Sequence, residues 1–280
     1  MILYKYIRPQ YIDKTLKEKR LKFSKPSQFN DPFEALPFVE DLFSKKIVEA
    51  IFNFYFNKKF FNLYIDCITN KDFKKSLLQM KKEREKGTFN FEKWYPVLRD
   101  ESKSEDTSKF LKREWADKVG ILSLSETENS VTMWSHYAED HKGFVIGFDT
   151  DKLITNKSQI LAKPLKIKYT NCRPQMFFVD SGNLKDRKIE LFKNFYLTKS
   201  KEWEYEKEWR QINKLKMVDS SENNIFLYKL NIESINCIII GCRMSYSNKI
   251  KIKELANQIN IDIYQMEINK YLYRLDKIKI

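Results

Sequence analysis

Glutamates crowd the stretch Lys199 to Leu215, KSKEWEYEKEWRQINKL. Glu202, Glu204, Glu206 and Glu208 place four carboxylates within seven residues, and Arg210 follows. Carboxylates this close repel one another unless solvent, a cation or the arginine compensates. Where they are partly buried, one pKa rises, the condition for a general acid or base. A second reactive stretch runs from Leu122 to Thr150, LSLSETENSVTMWSHYAEDHKGFVIGFDT. It joins hydroxyls and carboxylates (Ser123, Ser125, Glu126, Glu128) to an aromatic run through Trp134 and Tyr137, and it carries both histidines, His136 and His141. These histidines are five apart with no HExxH, so zinc hydrolysis is disfavoured and packing around Trp134 is their expected role. Asp31 and Glu34, beside the turn-forming SKPSQFNDP, are read either as turn builders or as cation ligands.

These groups need rigid mounts. In a strand, Glu204, Glu206, Glu208 and Arg210 share one face, whereas in a helix the pairs Glu204–Glu208 and Glu206–Arg210 are neighbours. The pattern favours a helix reaching about Glu206 and a strand from Glu208 onward. Ile121 to Leu124 reads as a strand, Trp134 to Tyr137 as helical, Asp140 to Gly143 as a turn and Phe144 to Phe148 as a strand. Further strands are expected at Ile2–Ile7, Leu21–Phe23, Leu165–Tyr169, Ile225–Leu230, Ile235–Ile240, Ile261–Ile268 and Tyr271–Ile280. Helices are expected at Asp13–Arg20, Leu184–Lys199 and Asn248–Gln258. Val48, Ile51, Phe52, Tyr55 and Phe56 follow a helical period, as do Phe73, Leu77 and Met80. Lys81–Glu92 reads as a loop, Asp100–Ser108 as a polar linker and Phe110–Val119 as helical again. The expected fold is therefore α+β: one domain over residues 1–280 with a mixed, mainly antiparallel central sheet and a helical insertion at 39–118.

Composition narrows the function. The 280 residues include only 6 glycines, with neither GxGxxG nor GxxxxGK[ST], which argues against a glycine-rich nucleotide-binding loop. Four scattered cysteines without a CxxC read as buried thiols of a reducing compartment, not as a metal site. No segment approaches a membrane span and no apolar leader opens the chain, so a cytoplasmic protein without a membrane partner is expected. The net charge of +14 would attract nucleic acid or another phosphate-bearing partner, though a Lys-rich solvated surface explains it equally.

Several spaced segments resemble the bacterial DUF2971 family: LYKY (Leu3 to Tyr6), LxFSxPxxFNDPFE (Leu21 to Glu34), SLSE with MWSHYAEDHKGFVIGFD (Ser123 to Asp149), YEKEWR (Tyr205 to Arg210) and IIIGCRM (Ile238 to Met244). The resemblance implies an association with antiviral defence or abortive infection. The order of segments is also similar, distantly, to the ADP-ribosyltransferase fold, which implies NAD as substrate. On that likeness Lys5 takes the early dinucleotide-holding position with Tyr6 beside it, and Ser123 or Ser125 takes the middle-strand position. Tyr137 would stack on nicotinamide, and Glu208, or else Glu206, would be the catalytic glutamate. Cleaving the N-glycosidic bond develops positive charge on the ribose, which an ionised glutamate stabilises while holding the 2′-hydroxyl. Arg210 and other basic residues would meet the pyrophosphate. Lys5 departs from the usual His or Arg. Two other classes stay open: a nuclease holding Mg²⁺ on Asp31, Glu34, Glu126, Glu206 and Glu208, and a non-enzymatic sensor or binding module.

Overall fold

A computed structural model describes residues 1–34, 70–102, 118–153, 163–173, 195–215, 220–222 and 225–280, together with positions 49, 52, 53, 56, 61, 65, 68, 192 and 193. The chain divides into two compact units. The first comprises Met1–Asn30, Lys118–Asn171 and Lys199–Ile280; the second comprises Asp31–Asp117 and Cys172–Thr198.

In chain order the strands are β1 (Ile2–Ile7), β2 (Arg20–Phe23), β3 (Val119–Ser125), β4 (Phe144–Asp149), β5 (Leu165–Lys166), β6 (Lys168–Thr170), β7 (Thr198–Ser200), β8 (Glu208–Lys214), β9 (Ser220–Glu222), β10 (Ile225–Lys229), β11 (Ile235–Ile240), β12 (Asp262–Ile268) and β13 (Leu275–Lys279). The helices are α1 (Lys71–Glu85), α2 (Phe91–Ser102), α3 (Val131–Tyr137) and α4 (Tyr246–Gln258). The expected α+β class with a mainly antiparallel sheet is observed. Eight strands of the first unit form an open sheet in the order β13-β12-β11-β4-β1-β3-β8-β5. Every pairing in it is antiparallel except β11 with β12, which α4 connects as a crossover.

Strand alternation sorts the core. β4 sends Phe144, Ile146 and Phe148 into one apolar cluster with Leu3, Ile238, Ile240 and the α4 residues Ile252 and Ala256. Val145 points the other way, into a cluster with Tyr6, Ile239, Met266 and the α3 residues Met133 and Trp134. A helix thus covers each face of the sheet, and β4 is buried on both, as its unbroken apolar run requires.

The sheet forks at its middle. β1 pairs with β4 along its whole length, from Ile2↔Asp149 to Ile7↔Phe144, but meets β3 only at Tyr4↔Ser125. The start of β3 bonds elsewhere: Ile121 exchanges backbone hydrogen bonds with Ser24, just beyond β2. Along its far side β3 pairs with β8 continuously, setting Ser123 opposite Arg210 and Ser125 opposite Glu208.

In the second unit α1 begins at Asn70, whose side chain accepts the Asp72 and Phe73 amides at 3.1 Å each. It buries Phe73, Leu77 and Met80 as its periodicity predicts. The expected loop at Lys81–Glu92 is instead mostly helix: α1 runs to Glu85 and α2 starts at Phe91. Charged residues there are good helix formers on a solvent face, and charge alone does not end a helix. For the same reason α2 takes in Asp100–Ser102 of the expected linker; its remainder, 103–108, and the helical reading of 110–117 lie outside the described residues. So do Val48, Ile51 and Tyr55, while Phe52 and Phe56 are described and pack as a tilted ring pair with centres 3.9 Å apart. The helix expected at Leu184–Lys199 falls outside over 184–191, and its last residues enter β7. Ile167 interrupts the expected strand Leu165–Tyr169 by bonding Glu208 O. Of the cysteines, Cys237 is buried as expected and Cys172 is exposed; Cys67 lies outside the described residues. No described helix is long and apolar enough to cross a membrane.

Trp134 anchors α3: it is 0% exposed, its indole N–H donates to Glu128 O at 2.7 Å, and Tyr6 meets it edge-on at 5.5 Å. Trp134→Ala is expected to cost about 3–5 kcal/mol. Chemical denaturation of parent and variant measures it; an unchanged midpoint would contradict the core assignment.

Candidate functional site

The glutamate run folds as a short 3-10 turn, Lys201–Glu206, followed by β8 from Glu208. The turn starts where the Ser200 side chain accepts the Glu202 amide. It ends at Lys207, whose φ of 45° and ψ of 50° are left-handed. A left-handed residue stops the helical hydrogen-bond pattern and lets the chain enter the sheet at once. Here it stands between Glu206 and Glu208 and leaves both carboxylates against one ammonium. Lys199 Nζ donates to Glu206 Oε2 at 2.6 Å and to Glu208 Oε2 at 3.2 Å.

Glu208 is gripped on both oxygens. Arg210 Nε donates to Oε1 at 2.8 Å and an Arg210 terminal nitrogen to Oε2 at 3.0 Å. The guanidinium also lies 5.3 Å from the Phe29 ring centre. Period-two alternation explains the pairing, since residues 208 and 210 share a face of β8. Burial pushes the Glu208 carboxyl up, but the charges of Arg210 and Lys199, with hydrogen bonds from Arg210 and Ser123, outweigh it and hold the group well below the usual carboxylate range. Its backbone N–H donates to the Tyr169 hydroxyl at 2.7 Å.

Glu206 is placed differently. Its Oε1 accepts the phenol of half-buried Tyr137 at 2.5 Å, and the Asn30 amide donates to that phenol at 3.5 Å. Burial and then the Glu206 charge raise the Tyr137 pKa, so the phenol stays protonated. Ser125 is 1% exposed and donates to Glu206 O at 2.6 Å while accepting the Thr127 amide at 3.1 Å. It therefore holds the turn to the end of β3.

Lys5 reaches across the fork: its ammonium donates to Ser123 O at 3.0 Å, a side chain bonding where β1 and β3 have parted. Burial pushes the Lys5 ammonium down to about 8; the Glu208 and Glu206 charges oppose the fall and Lys22 adds to it. The residue as a whole is only half-buried, so the loss of hydration belongs to the charged end.

Of the residues singled out by sequence, Lys5, Ser123, Ser125, Tyr137, Glu206, Glu208 and Arg210 come together. Tyr6 does not. Alternation along β1 turns it into the α3 face, where it packs on Trp134 and donates to Thr127 O at 2.9 Å. Glu126 leaves the cluster to accept Lys166 and the Trp209 indole, and Glu202 and Glu204 are exposed. His136 is exposed beside Tyr205, and His141 stacks parallel to Trp134. Asp31 and Glu34 belong to the second unit, where the Asp31 carboxylate caps the Phe33 amide at 2.9 Å. Sequence reasoning missed Lys199 and Tyr169. Lys199 opens the glutamate stretch, and the signal was the need of four close carboxylates for a compensating cation.

An open, mainly antiparallel α+β sheet with buried carboxylates and cations at one strand end is the class that this geometry defines. Residues 133–211 match the model of the DUF2971 family, described as a protein of unknown function, and the resemblance read from the sequence holds over that segment. The matched span contains Tyr137, Lys199, Glu206, Glu208 and Arg210. No curated protein and no solved structure matches the chain.

The Lys5 titration carries a pH prediction. Between about 8 and the ordinary 10.5, the unfolded chain binds a proton that the folded chain does not. Stability contributed by this group therefore rises with pH through that window and falls as pH drops toward 8. Urea midpoints of parent and Lys5→Met, followed from about pH 7 to about pH 11, should diverge in slope there. Parallel slopes would show that Lys5 has an ordinary pKa.

Proposed function

We propose that the cluster is the active site of an NAD-consuming enzyme of ADP-ribosyltransferase type, acting in antiviral defence, with Glu206 as the carboxylate that meets the substrate. The observation that carries this reading is the Tyr137–Glu206 hydrogen bond at 2.5 Å, on the half-buried side of an otherwise enclosed cluster. A hydroxyl donating to an ionised glutamate is the bond that a ribose 2′-hydroxyl would make, and the phenol holds that position.

The roles divide by environment. Glu208 is saturated by Arg210 and Lys199 and acts as the positioning anchor. Lys199 links it to Glu206. Glu206, 3% exposed, has one oxygen on Lys199 and the other on the Tyr137 phenol, so substrate would reach it by displacing that phenol. Lys5, protonated at neutral pH, supplies a cation for a phosphate oxygen. Tyr137 supplies an aromatic ring for stacking. This assignment moves the reacting role from Glu208, the first choice on sequence, to its neighbour.

A nuclease reading would give the same carboxylates to Mg²⁺. Both are already neutralised by Lys199 or Arg210, and among the described residues no three His, Cys, Asp or Glu side chains gather as a metal-binding group. Hard cations require unsatisfied oxygens, so the present arrangement favours the glycosidic chemistry.

Nicotinamide release from NAD tests the proposal, measured with and without cell extract or nucleic acid as acceptor. Glu206→Gln keeps the side-chain shape and is expected to lower turnover by about 100-fold or more. Exposed Glu202→Gln should match the parent. Parental turnover retained in a folded Glu206→Gln protein, or no turnover by the parent with any acceptor, would overturn the assignment.

A further inference from the structure

The end of the large sheet reached by the carboxyl ends of β11 and β12 carries exposed tyrosines among cations. Register aligns the strands there: Ile240 pairs with Gln265 on one side and Phe144 on the other, and Phe144 also pairs with Ile7. The connections leaving these positions therefore emerge at one edge. From the β12–β13 connection come Tyr271 and Tyr273, 91% and 108% exposed, and from the start of α4 comes Tyr246, 79% exposed. With neighbouring strands about 5 Å apart, β13 to β1 spans roughly 20 Å. Exposed Lys270, Arg243, Lys142 and Arg8 follow one another across this edge, against Glu139 and Asp140 from the β4 side.

The tyrosine loop is held in shape. Asn269 Oδ1 accepts the Tyr271 and Leu272 amides at 2.8 Å each, and its side-chain amide donates to Asp276 at 2.6 Å. Arg274 Nε binds the other Asp276 oxygen at 2.9 Å, and the Arg274 amide bonds Leu272 O at 2.8 Å. The frame fixes the backbone that carries the two tyrosines, and rings standing in water gain nothing for folding and are open to a partner.

We propose that this edge is a binding surface for single-stranded nucleic acid, with unpaired bases stacking on Tyr271 and Tyr273 and the backbone following the cations toward Arg8. Bases have apolar faces that stack on exposed aromatic rings, and the phosphates between them need cations spaced along a track. The chain's net charge of +14 favours the same polyanion. Duplex DNA hides its base faces and cannot use the tyrosines, which sets the selectivity.

Fluorescence anisotropy tests this with a short labelled oligothymidylate, a duplex of equal length, and vesicles of phosphatidylserine and phosphatidylcholine. The parent should bind the single strand more tightly than the duplex, with affinity falling as salt rises. Tyr271→Ala with Tyr273→Ala should weaken single-strand binding by about 25-fold or more, at roughly fivefold per ring, while Tyr271→Phe with Tyr273→Phe retains it. Arg243→Glu with Lys270→Glu should flatten the salt dependence by about one to two phosphate contacts. All are surface changes, and circular dichroism checks that each variant is folded. No binding by the parent at low salt, equal loss in the Phe and Ala pairs, or parental affinity in the Ala pair would overturn the proposal. So would vesicle binding that depends on the tyrosines without oligonucleotide binding, which would make the edge a membrane contact.

Discussion

The first unit depends on the pairing of Glu208 with Arg210. Both are enclosed, at 3% and 1% exposure, and neither could remain charged there alone. Their two hydrogen bonds fix the start of β8, the strand that holds β3 in the sheet. Lys199 extends the pair to Glu206, so one ammonium joins the residue before the left-handed turn at Lys207 to the residue after it. The desolvation cost of such a group is large, and hydrophobic residues of similar size would fill the space with less.

The fork between β1 and β3 brings a further cation to that arrangement. A continuous ladder would have sealed the strands together and left no gap for a side chain. Because they share only Tyr4↔Ser125, the Lys5 ammonium bonds Ser123 O and comes under the influence of both glutamates. Tyr137 closes the opposite side from α3, and α3 is itself held by the buried Trp134. Packing, fork and charge pairing thus act together: the apolar faces set where the strands lie, and the fork determines which polar groups meet.

Much of this was legible in the sequence because its signals are local. The apolar run of β4, the near-continuous apolar run of β11 and the period of Phe73, Leu77 and Met80 each determine an element without reference to the rest of the chain. The change from helical turn to strand between Glu206 and Glu208 was expected as a compromise, because the alternating charges fit either element, and it is observed. What was not legible came from partners distant in sequence. Nothing in LYKY separates Lys5, at the fork, from Tyr6, packed under Trp134; that depends on which strand lies beside β1. Lys199 looked like one more surface lysine because its burial is decided by β8 and the turn it closes. The pairing of Arg210 with Glu208 was expected from strand alternation, whereas the contact of Glu206 with Tyr137 joins residues 69 apart in sequence.

Lys199 and Glu208 belong to one coupled unit with Glu206, and a double-mutant cycle on unfolding free energy measures that coupling. Lys199→Met and Glu208→Gln are each expected to cost about 3–5 kcal/mol, because each leaves a buried charge without its partner. The double variant leaves fewer such charges, so its cost should fall short of the sum by at least about 1 kcal/mol. Additive costs would contradict this coupling, for then Lys199 would not be bound to Glu208 in the folded protein.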